Sequence, residues 1–452
     1  MDSAILLKYD QRVPRYTSYP TAVQFSAEVG TAQHAQWLGE VGRDEAVSLY
    51  VHVPFCRELC WYCGCNTQVG RHQNTFETYT DLVCREIDLA AAHLSLRPQA
   101  AAVHWGGGTP SSIGPARMAR IMDKLREHFD FLPDAEIAVE MDPRVISGED
   151  IVTLTRDMGV NRTSIGVQDF DAGVQKAVNR VQPYDLVADA VKNLRAGGIT
   201  DLNLDLMYGL PFQRQDSFGH SADLAVGLSP ERMTLFGYAH VPWMFSHMKL
   251  IKDGDLPNAE ERLNLFNEAL ERLHAADYVH IGLDHFSKAG SEMDVAQREG
   301  RLHRNFQGYT TDAAKTLLAF GASAISTLPG GFIQNKSAAR DYMKATKDGE
   351  LATARGVGLT DQDRLRSHII ERLMCDFQVD LEKICEEHDI AVQGLAGDME
   401  TLNPLIADDL VAVDGWRVNV LPRGRMLVRM ACAVFDQYHA PDPDKPAHAR
   451  AI

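Results

Sequence analysis

The sequence predicts an α/β fold, a partial (β/α)6-type barrel with an N-terminal arm and a small, mainly helical C-terminal domain. Three observations predict it. Apolar strand-like runs alternate with amphipathic helical stretches six times between Val47 and Ala275, an order that implies right-handed crossovers and a parallel sheet. Polar or glycine-rich groups collect at the carboxyl end of each run, the rim where α/β barrels bind their ligands. From about Arg355 the texture changes to short helices followed by short strands. The 452 residues thus divide into an arm at 1–46, a barrel domain at 47–350 and a winged-helix-like domain at 351–452, in keeping with roughly 150 residues per domain as a soft guide.

In chain order, Val13-Pro-Arg-Tyr-Thr-Ser-Tyr-Pro20 reads as extended, because each residue before a proline is pushed out of the helical region. A short helix is expected over Ala32–Val41. Strands are expected at Val47–Val53, Ala101–Trp105, Ala135–Met141, Arg162–Val167, Asp201–Met207 and Arg232–Tyr238. Helices are expected at Phe76–His93, Pro115–His128, Glu149–Met158, Tyr184–Ala196, Gln215–Val226 and Ala259–Ala275. Residues Ser287 to Thr311 read as one long irregular segment, the kind of loop that is usually functional. Helical texture resumes near Asp312–Phe320. The C-terminal part reads as helices Thr360–Cys375, Leu381–His388 and Ala391–Asn403, then strands around Leu410–Val420 and Met426–Val428. Pro441–Ile452 reads as a flexible tail.

Hydrophobic content of 45% and charged content of 24% are ordinary for a globular chain. No apolar run approaches the ~18 residues of a membrane helix, and the N-terminus lacks a secretory pattern. Clustered cysteines in that setting point to a reducing cytoplasm rather than to disulfides. A formal net charge of −17 disfavours nucleic acid as a partner, since phosphate would be repelled. An anionic substrate then needs a local basic patch. Arg298, Arg301, His303 and Arg304 supply a candidate, because guanidinium forks hold carboxylates bidentately. No heptad seam is present, so a monomer is expected.

Chemistry concentrates in Cys56-x3-Cys60-x2-Cys63-x-Cys65, four of the eight cysteines, directly after the first strand. Thiolates are soft ligands. Structural zinc sites usually pair two knuckles distant in sequence, and no second knuckle follows, whereas an iron–sulfur cluster suits one compact loop. Gly106-Gly-Gly-Thr109 lets backbone approach a ligand without an intervening Cβ, but it lacks the spacing of a dinucleotide fingerprint. Glu140, Gln168, Arg180 and Asp205 are candidates to hold a cofactor's ribose, amine and carboxylate.

The spacing of Cys56, Cys60 and Cys63, with Tyr62 before the third, resembles the signature of radical S-adenosylmethionine (SAM) enzymes. Further stretches narrow the resemblance: Pro14-Arg-Tyr-Thr-Ser-Tyr-Pro20, His52-Val-Pro-Phe-Cys56, Cys63-Gly-Cys65-Asn, His104-Trp-Gly-Gly-Gly-Thr-Pro110, Gly166-Val-Gln-Asp-Phe170, Asp205-Leu-Met-Tyr-Gly-Leu-Pro211 and His303-Arg-Asn-Phe-Gln-Gly-Tyr-Thr-Thr311. Together they resemble the oxygen-independent coproporphyrinogen III oxidases over nearly the whole chain.

That resemblance implies a radical SAM barrel with one 4Fe-4S cluster on Cys56, Cys60 and Cys63, SAM on the open iron, and a second SAM beside the first. It assigns Tyr50, Gly107 and Glu140 to the first SAM. It assigns Tyr62, Gly108, Thr109, Gln168, Arg180, Asp205, Ala239 and Ile325 to the second. Gln307 is a candidate substrate contact, and Glu140, Gln307 and Cys65 are the candidate catalytic residues. Gly237 departs from the pattern, which leads one to expect a larger polar residue there. The implied reaction cleaves SAM with an electron from a reduced flavodoxin- or ferredoxin-type donor, and the resulting radical takes a β-hydrogen from a propionate. Carbon dioxide and an electron then leave, and two such rounds turn coproporphyrinogen III into protoporphyrinogen IX. The rivals are a related haem-binding chaperone, expected to lack Cys65 and the arm, and a radical SAM enzyme that opens haem.

Overall fold

A computed structural model describes residues 5, 8, 9, 11–42 and 46–439; the expected flexible tail at Pro441–Ile452 lies outside them. Six parallel strands form the centre: β1 (Val47–Val53), β2 (Gln99–Gly107), β3 (Asp130–Met141), β4 (Arg162–Gln168), β5 (Asp201–Tyr208) and β6 (Arg232–Gly237). Beyond them lie β7 (Tyr278–Ile281), β8 (His285–Lys288), β9 (Thr316–Phe320), β10 (Ile325–Leu328), β11 (Gly331–Asn335) and β12 (Thr353–Gly358). The 12-stranded sheet runs β12-β11-β10-β9-β1-β2-β3-β4-β5-β6-β8-β7. Its two edges do not pair, so the barrel is partial.

Strand periodicity decides what each face does. In β4, Thr163, Ile165 and Val167 are buried, while Arg162, Ser164, Gly166 and Gln168 point to the other side. β5 follows the same alternation, with Leu202, Leu204 and Leu206 fully buried and Asp205 facing the opposite way. Successive side chains point to opposite faces, so one face packs under the crossover helices and the other lines the interior. The helix-facing core includes Leu49, Val51, Val103, Trp105, Ile121, Leu125, Ile165, Val191 and Phe218. A second core joins Tyr9, Tyr16 and Tyr19 of the arm to Leu365, Ile369, Leu373, Leu405 and Phe435.

Four local expectations are corrected. Asp312–Phe320 is not helical; Thr316–Phe320 is β9, fully buried and parallel to β1. Four consecutive apolar residues carry no period that separates a buried strand from a helix, and here the sheet edge beside β1 settles it. Ser287–Thr311 is not irregular: it holds a helix at Glu292–Arg298, capped by Ser291, and a hairpin of His303–Asn305 with Gly308–Thr310. Met426–Val428 is not a strand but the junction of a 3-10 turn (Pro422–Leu427) and a helix (Val428–Val434). Thr353–Gly358 pairs into the large sheet, although it follows the expected boundary at 350. No helix among the described residues is long and apolar enough to cross a membrane.

Candidate active site

The cysteine loop leaves the end of β1 and is pinned from several sides. The Gly108 and Thr109 amides donate to the carbonyls of Val53 and Phe55, both at 2.8 Å. The Trp61 amide donates to Val178 O at 3.0 Å. Asn179 Nδ2 donates to Leu59 O at 2.9 Å, and His247 Nε2 donates to Cys63 O at 2.7 Å. These anchors hold Cys56, Cys60, Cys63 and Cys65 along one cavity of about 370 Å³. All four are free thiols.

The sheet wraps this cavity. His104, Gly107 and Gly108 come from β2 and its end, Glu140 and Asp142 from β3, and Gln168 from β4. Asn203 and Asp205 come from β5, Thr234 and Phe236 from β6, and His285 from β8. Gln307 and Tyr309 of the hairpin complete it. The sequence-predicted Cys56, Cys60, Cys63, Cys65, Tyr62, Gly107, Gly108, Thr109, Glu140, Gln168, Arg180, Asp205 and Gln307 are therefore brought together. Three are not. Tyr50 stands beside the lining on the interior face of β1, its hydroxyl 3.1 Å from His52 Nδ1 and its ring stacked on His104. Ala239 lines a separate cavity of about 420 Å³. Ile325 opens β10, outside the lining.

Donors surround the thiols. Arg180 Nη1 and Arg144 Nη2 lie 3.5 and 3.7 Å from Cys60 Sγ. Thr109 Oγ1 donates to Cys56 Sγ at 3.6 Å, and the Cys65 amide to Cys63 Sγ at 3.4 Å. The hydrogen bond with the Cys65 side chain, working against burial, draws the Cys63 thiol down to about 7. Burial pushes the Cys56 thiol up. Asp142 resists the rise that burial alone would impose, because Arg144 (2.7 Å) and Arg180 (3.3 Å) hold its carboxyl below the usual range.

Glu140 accepts from the Gly107 amide at 3.2 Å and stands 3.1 Å from His104 Nε2. A Cβ at Gly106 would sit 2.8 Å from Glu140 Oε1, so a side chain there would push that carboxylate aside. Gln168 holds a left-handed backbone (φ 67°), uncommon outside glycine. Asp205 accepts from Asn203 Nδ2 at 2.7 Å and Ser164 Oγ at 3.1 Å, while burial raises its pKa. At Gly237, the departure noted above, a Cβ would lie 2.8 Å from Tyr208 Oη and 3.2 Å from an Arg262 nitrogen. Tyr208 and Arg262 occupy the room a larger side chain would need.

The candidate basic patch does not hold as one feature. Arg298 is exposed and paired with Asp294, and Arg301 is exposed and paired with Glu299. Arg304 lies over the Tyr309 ring, 4.4 Å from its centroid. None of the three lines the cavity. Its cations are instead Arg144, Arg162, Arg180 and Arg232. Arg162 and Arg232 are the first residues of β4 and β6, at the end of the barrel opposite the rim, where a search of strand ends for polar residues does not look. Arg144 follows the Glu140-Met-Asp142 rim signal by two residues and was within reach of it.

The donor set fits an iron–sulfur cluster with SAM. Three thiols at hydrogen-bond-stabilised positions face a cavity in which Gln168 Oε1 and Arg180 Nε are buried without a partner among the described residues. Buried polar atoms of that kind are rare unless a ligand completes them.

Comparison with known proteins agrees. The Radical SAM superfamily model matches residues 50–225, and the HemN C-terminal domain model matches 359–427. An oxygen-independent coproporphyrinogen III oxidase of Bradyrhizobium diazoefficiens is 45% identical over 443 residues, 98% of each chain. The oxygen-independent coproporphyrinogen III oxidase of Escherichia coli K12 is 41% identical over 97% of this chain and 95% of its own length. The solved structure of coproporphyrinogen III oxidase (HemN) from Escherichia coli, described as a radical SAM enzyme, superposes with a TM-score of 0.92 at 40% identity, covering 97% of this chain and 99% of that one. The chain belongs to the oxygen-independent coproporphyrinogen III oxidase family of radical SAM enzymes.

Proposed function

We propose that this protein oxidatively decarboxylates two propionates of coproporphyrinogen III to vinyl groups, giving protoporphyrinogen IX without oxygen, in haem biosynthesis. The observation that carries this reading is a single cavity holding the Cys56–Cys65 thiols together with four arginines, in a chain of net charge −17. Cys56, Cys60 and Cys63 hold the 4Fe-4S cluster, and Cys65 stays unligated. When bound, the cluster and SAM supply one-electron cleavage and hydrogen abstraction from the substrate.

The chain's own residues bind, orient and exclude water. The backbone at Gly107 and the carboxylate of Glu140 receive one SAM. Gly108, Thr109, Gln168 Oε1, Arg180 and Asp205 receive a second, with Tyr62 packing beside it. Arg162 and Arg232, paired with Glu136 and Asp201, put guanidinium groups into the inner part of the cavity that can also reach the carboxylates that are not reacting, while Gln307 closes over the substrate. Arg180 and Arg144 point nitrogens at Cys60 Sγ and fix where that thiol sits. Tyr50 acts from the side of the cavity, steadying His52 and His104, and Ala239 and Ile325 have no direct part in the cavity as it stands. We read the enzyme as a cytoplasmic monomer served by a reduced flavodoxin- or ferredoxin-type donor. Its arm spans 1–46, and its barrel extends from 47 through β12, which moves the start of the C-terminal domain from 351 to about 359.

Anaerobically reconstituted protein given dithionite, SAM and coproporphyrinogen III is expected to form protoporphyrinogen IX. Cofactor cleavage with coproporphyrinogen untouched, together with stoichiometric retention of haem, would transfer the reading to the haem-binding relative.

A further inference from the structure

The segment between β6 and the helix Ala259–Ala275 runs across the outside of the cysteine loop. His247 bonds the Cys63 carbonyl. Met248 and Ile251 are buried with Val174, Val178 and Leu210, and Trp61, Tyr62 and Phe245 pack against the same cluster. Residues 57–62, 174–181, 210–214 and 241–252 therefore build one face around the thiols.

That face is apolar where solvent reaches it. Phe212 is 55% exposed, Trp243 53%, Met244 61%, Leu250 58% and Val181 55%; these are five of the nine large exposed hydrophobics among the described residues. Scattered single apolar residues mean little, but a group rimmed by charge marks an interaction site. Phe212 is also held at φ 63°, a left-handed conformation that costs a non-glycine residue and here presents an aromatic ring to solvent.

The rim is cationic. Arg57, Lys176, Lys249 and Lys252 are exposed and make no ion pair among the described residues. Of the nearby carboxylates, Glu58 lies near Arg144, Asp216 pairs with Arg214 and Asp253 faces His240, while Asp255 makes no ion pair among the described residues; the four cations still outnumber it. An acidic chain thus keeps a locally positive, apolar-centred surface over its thiol loop. Such a surface steers an acidic partner while keeping the complex transient.

We propose that this face docks a small acidic one-electron carrier protein. Trp61, next to Cys60, and His247, on the Cys63 carbonyl, link the surface to the ligand loop. One electron leaves the reduced carrier and enters the cluster held at Cys56, Cys60 and Cys63; no bond between the proteins forms or breaks, and no proton moves. The proposal rests on the radical SAM reading of the site.

Reduced flavodoxin is the probe, tested against the wild-type holoenzyme and a Lys176→Glu, Lys249→Glu, Lys252→Glu triple variant. Three measurements are made: flavodoxin affinity at two ionic strengths, the rate of cluster reduction followed by absorbance, and SAM cleavage driven by dithionite. Wild-type affinity should fall as salt rises, and the triple variant should bind and be reduced roughly tenfold or more weakly, with dithionite-driven cleavage unchanged. A Leu250→Glu variant should weaken flavodoxin binding without touching the lysines. Equal affinity and reduction rate in wild type and triple variant, or no binding by wild type, overturns the docking face. Salt-dependent flavodoxin binding without SAM cleavage by either donor supports the face and sinks the radical SAM reading instead.

Discussion

Arg180 places Nη1 3.5 Å from Cys60 Sγ and 3.3 Å from Asp142, while Nη2 donates to the Gly166 carbonyl at 2.6 Å. One buried guanidinium thus ties the cysteine loop to the ends of β3 and β4. Ligands of a metal are held in place by such outer partners. The same logic separates the four thiols. Cys56, Cys60 and Cys63 each have a donor from a neighbouring element or from the loop backbone. Cys56→Ala, Cys60→Ala and Cys63→Ala are each expected to abolish the visible absorbance of the reconstituted cluster, while Cys65→Ala keeps it. Loss of absorbance in the Cys65 variant refutes the three-ligand assignment.

At the scale of elements, the helix Gln73–Ala91 is tied to the turn after β9 and to β11 by one carboxylate. Glu86 accepts from the Gly321 amide at 2.7 Å, from Asn335 Nδ2 at 2.6 Å and from Tyr342 Oη at 2.6 Å. Burial pushes its pKa from 4.5 up to about 7, and the three donors only partly offset that rise. The folded chain therefore holds this proton more tightly than the unfolded chain. The associated stability is complete below about pH 4.5 and is lost as pH rises through about 7. Between pH 5 and pH 8 the wild type should lose stability relative to Glu86→Gln by an amount on the order of 3 kcal/mol. Thermal unfolding of both proteins at the two pH values checks this, and a gap that does not change with pH contradicts it. The same elements show what the sequence made legible. The six central strands announced themselves because each is an apolar run flanked by a long amphipathic helix and a polar rim. β9 did not, because its four apolar residues, Leu317–Phe320, lack a period. The hairpin at His303–Thr310 did not, because its strands have three residues each. The cysteine loop and the Gly106–Thr109 segment were legible from residue type and spacing. Arg162 and Arg232 were not, since their place in the cavity depends on strand register and inward alternation rather than on any local pattern.

Across the whole molecule, the arm joins the two cores. Tyr16 and Tyr19 are buried against the C-terminal helices, with Tyr16 Oη donating to Asp436 and the Gln437 amide donating to Tyr19 Oη. Arg15 reaches the other way, to Asp284 at the start of β8. Burial would raise the Asp284 carboxyl, but Arg15, His285 and Arg304 together hold it well below the usual range. A buried carboxylate that loses a charged partner is costly, so Arg15→Ala should loosen the arm. Chymotrypsin is then expected to cut after Tyr16 several times faster than in wild type; an unchanged cleavage rate would place the arm's attachment wholly in its tyrosines. The barrel interior, closed by the His303–Thr310 hairpin, makes the chamber in which a radical enzyme can act on a polycarboxylate. The most direct test of that account uses coproporphyrinogen III carrying isotopic label in its propionate carboxyls, with the reduced holoenzyme and SAM under anaerobic conditions. The account predicts two equivalents of labelled carbon dioxide per tetrapyrrole consumed; cofactor cleavage with no labelled carbon dioxide released would contradict it.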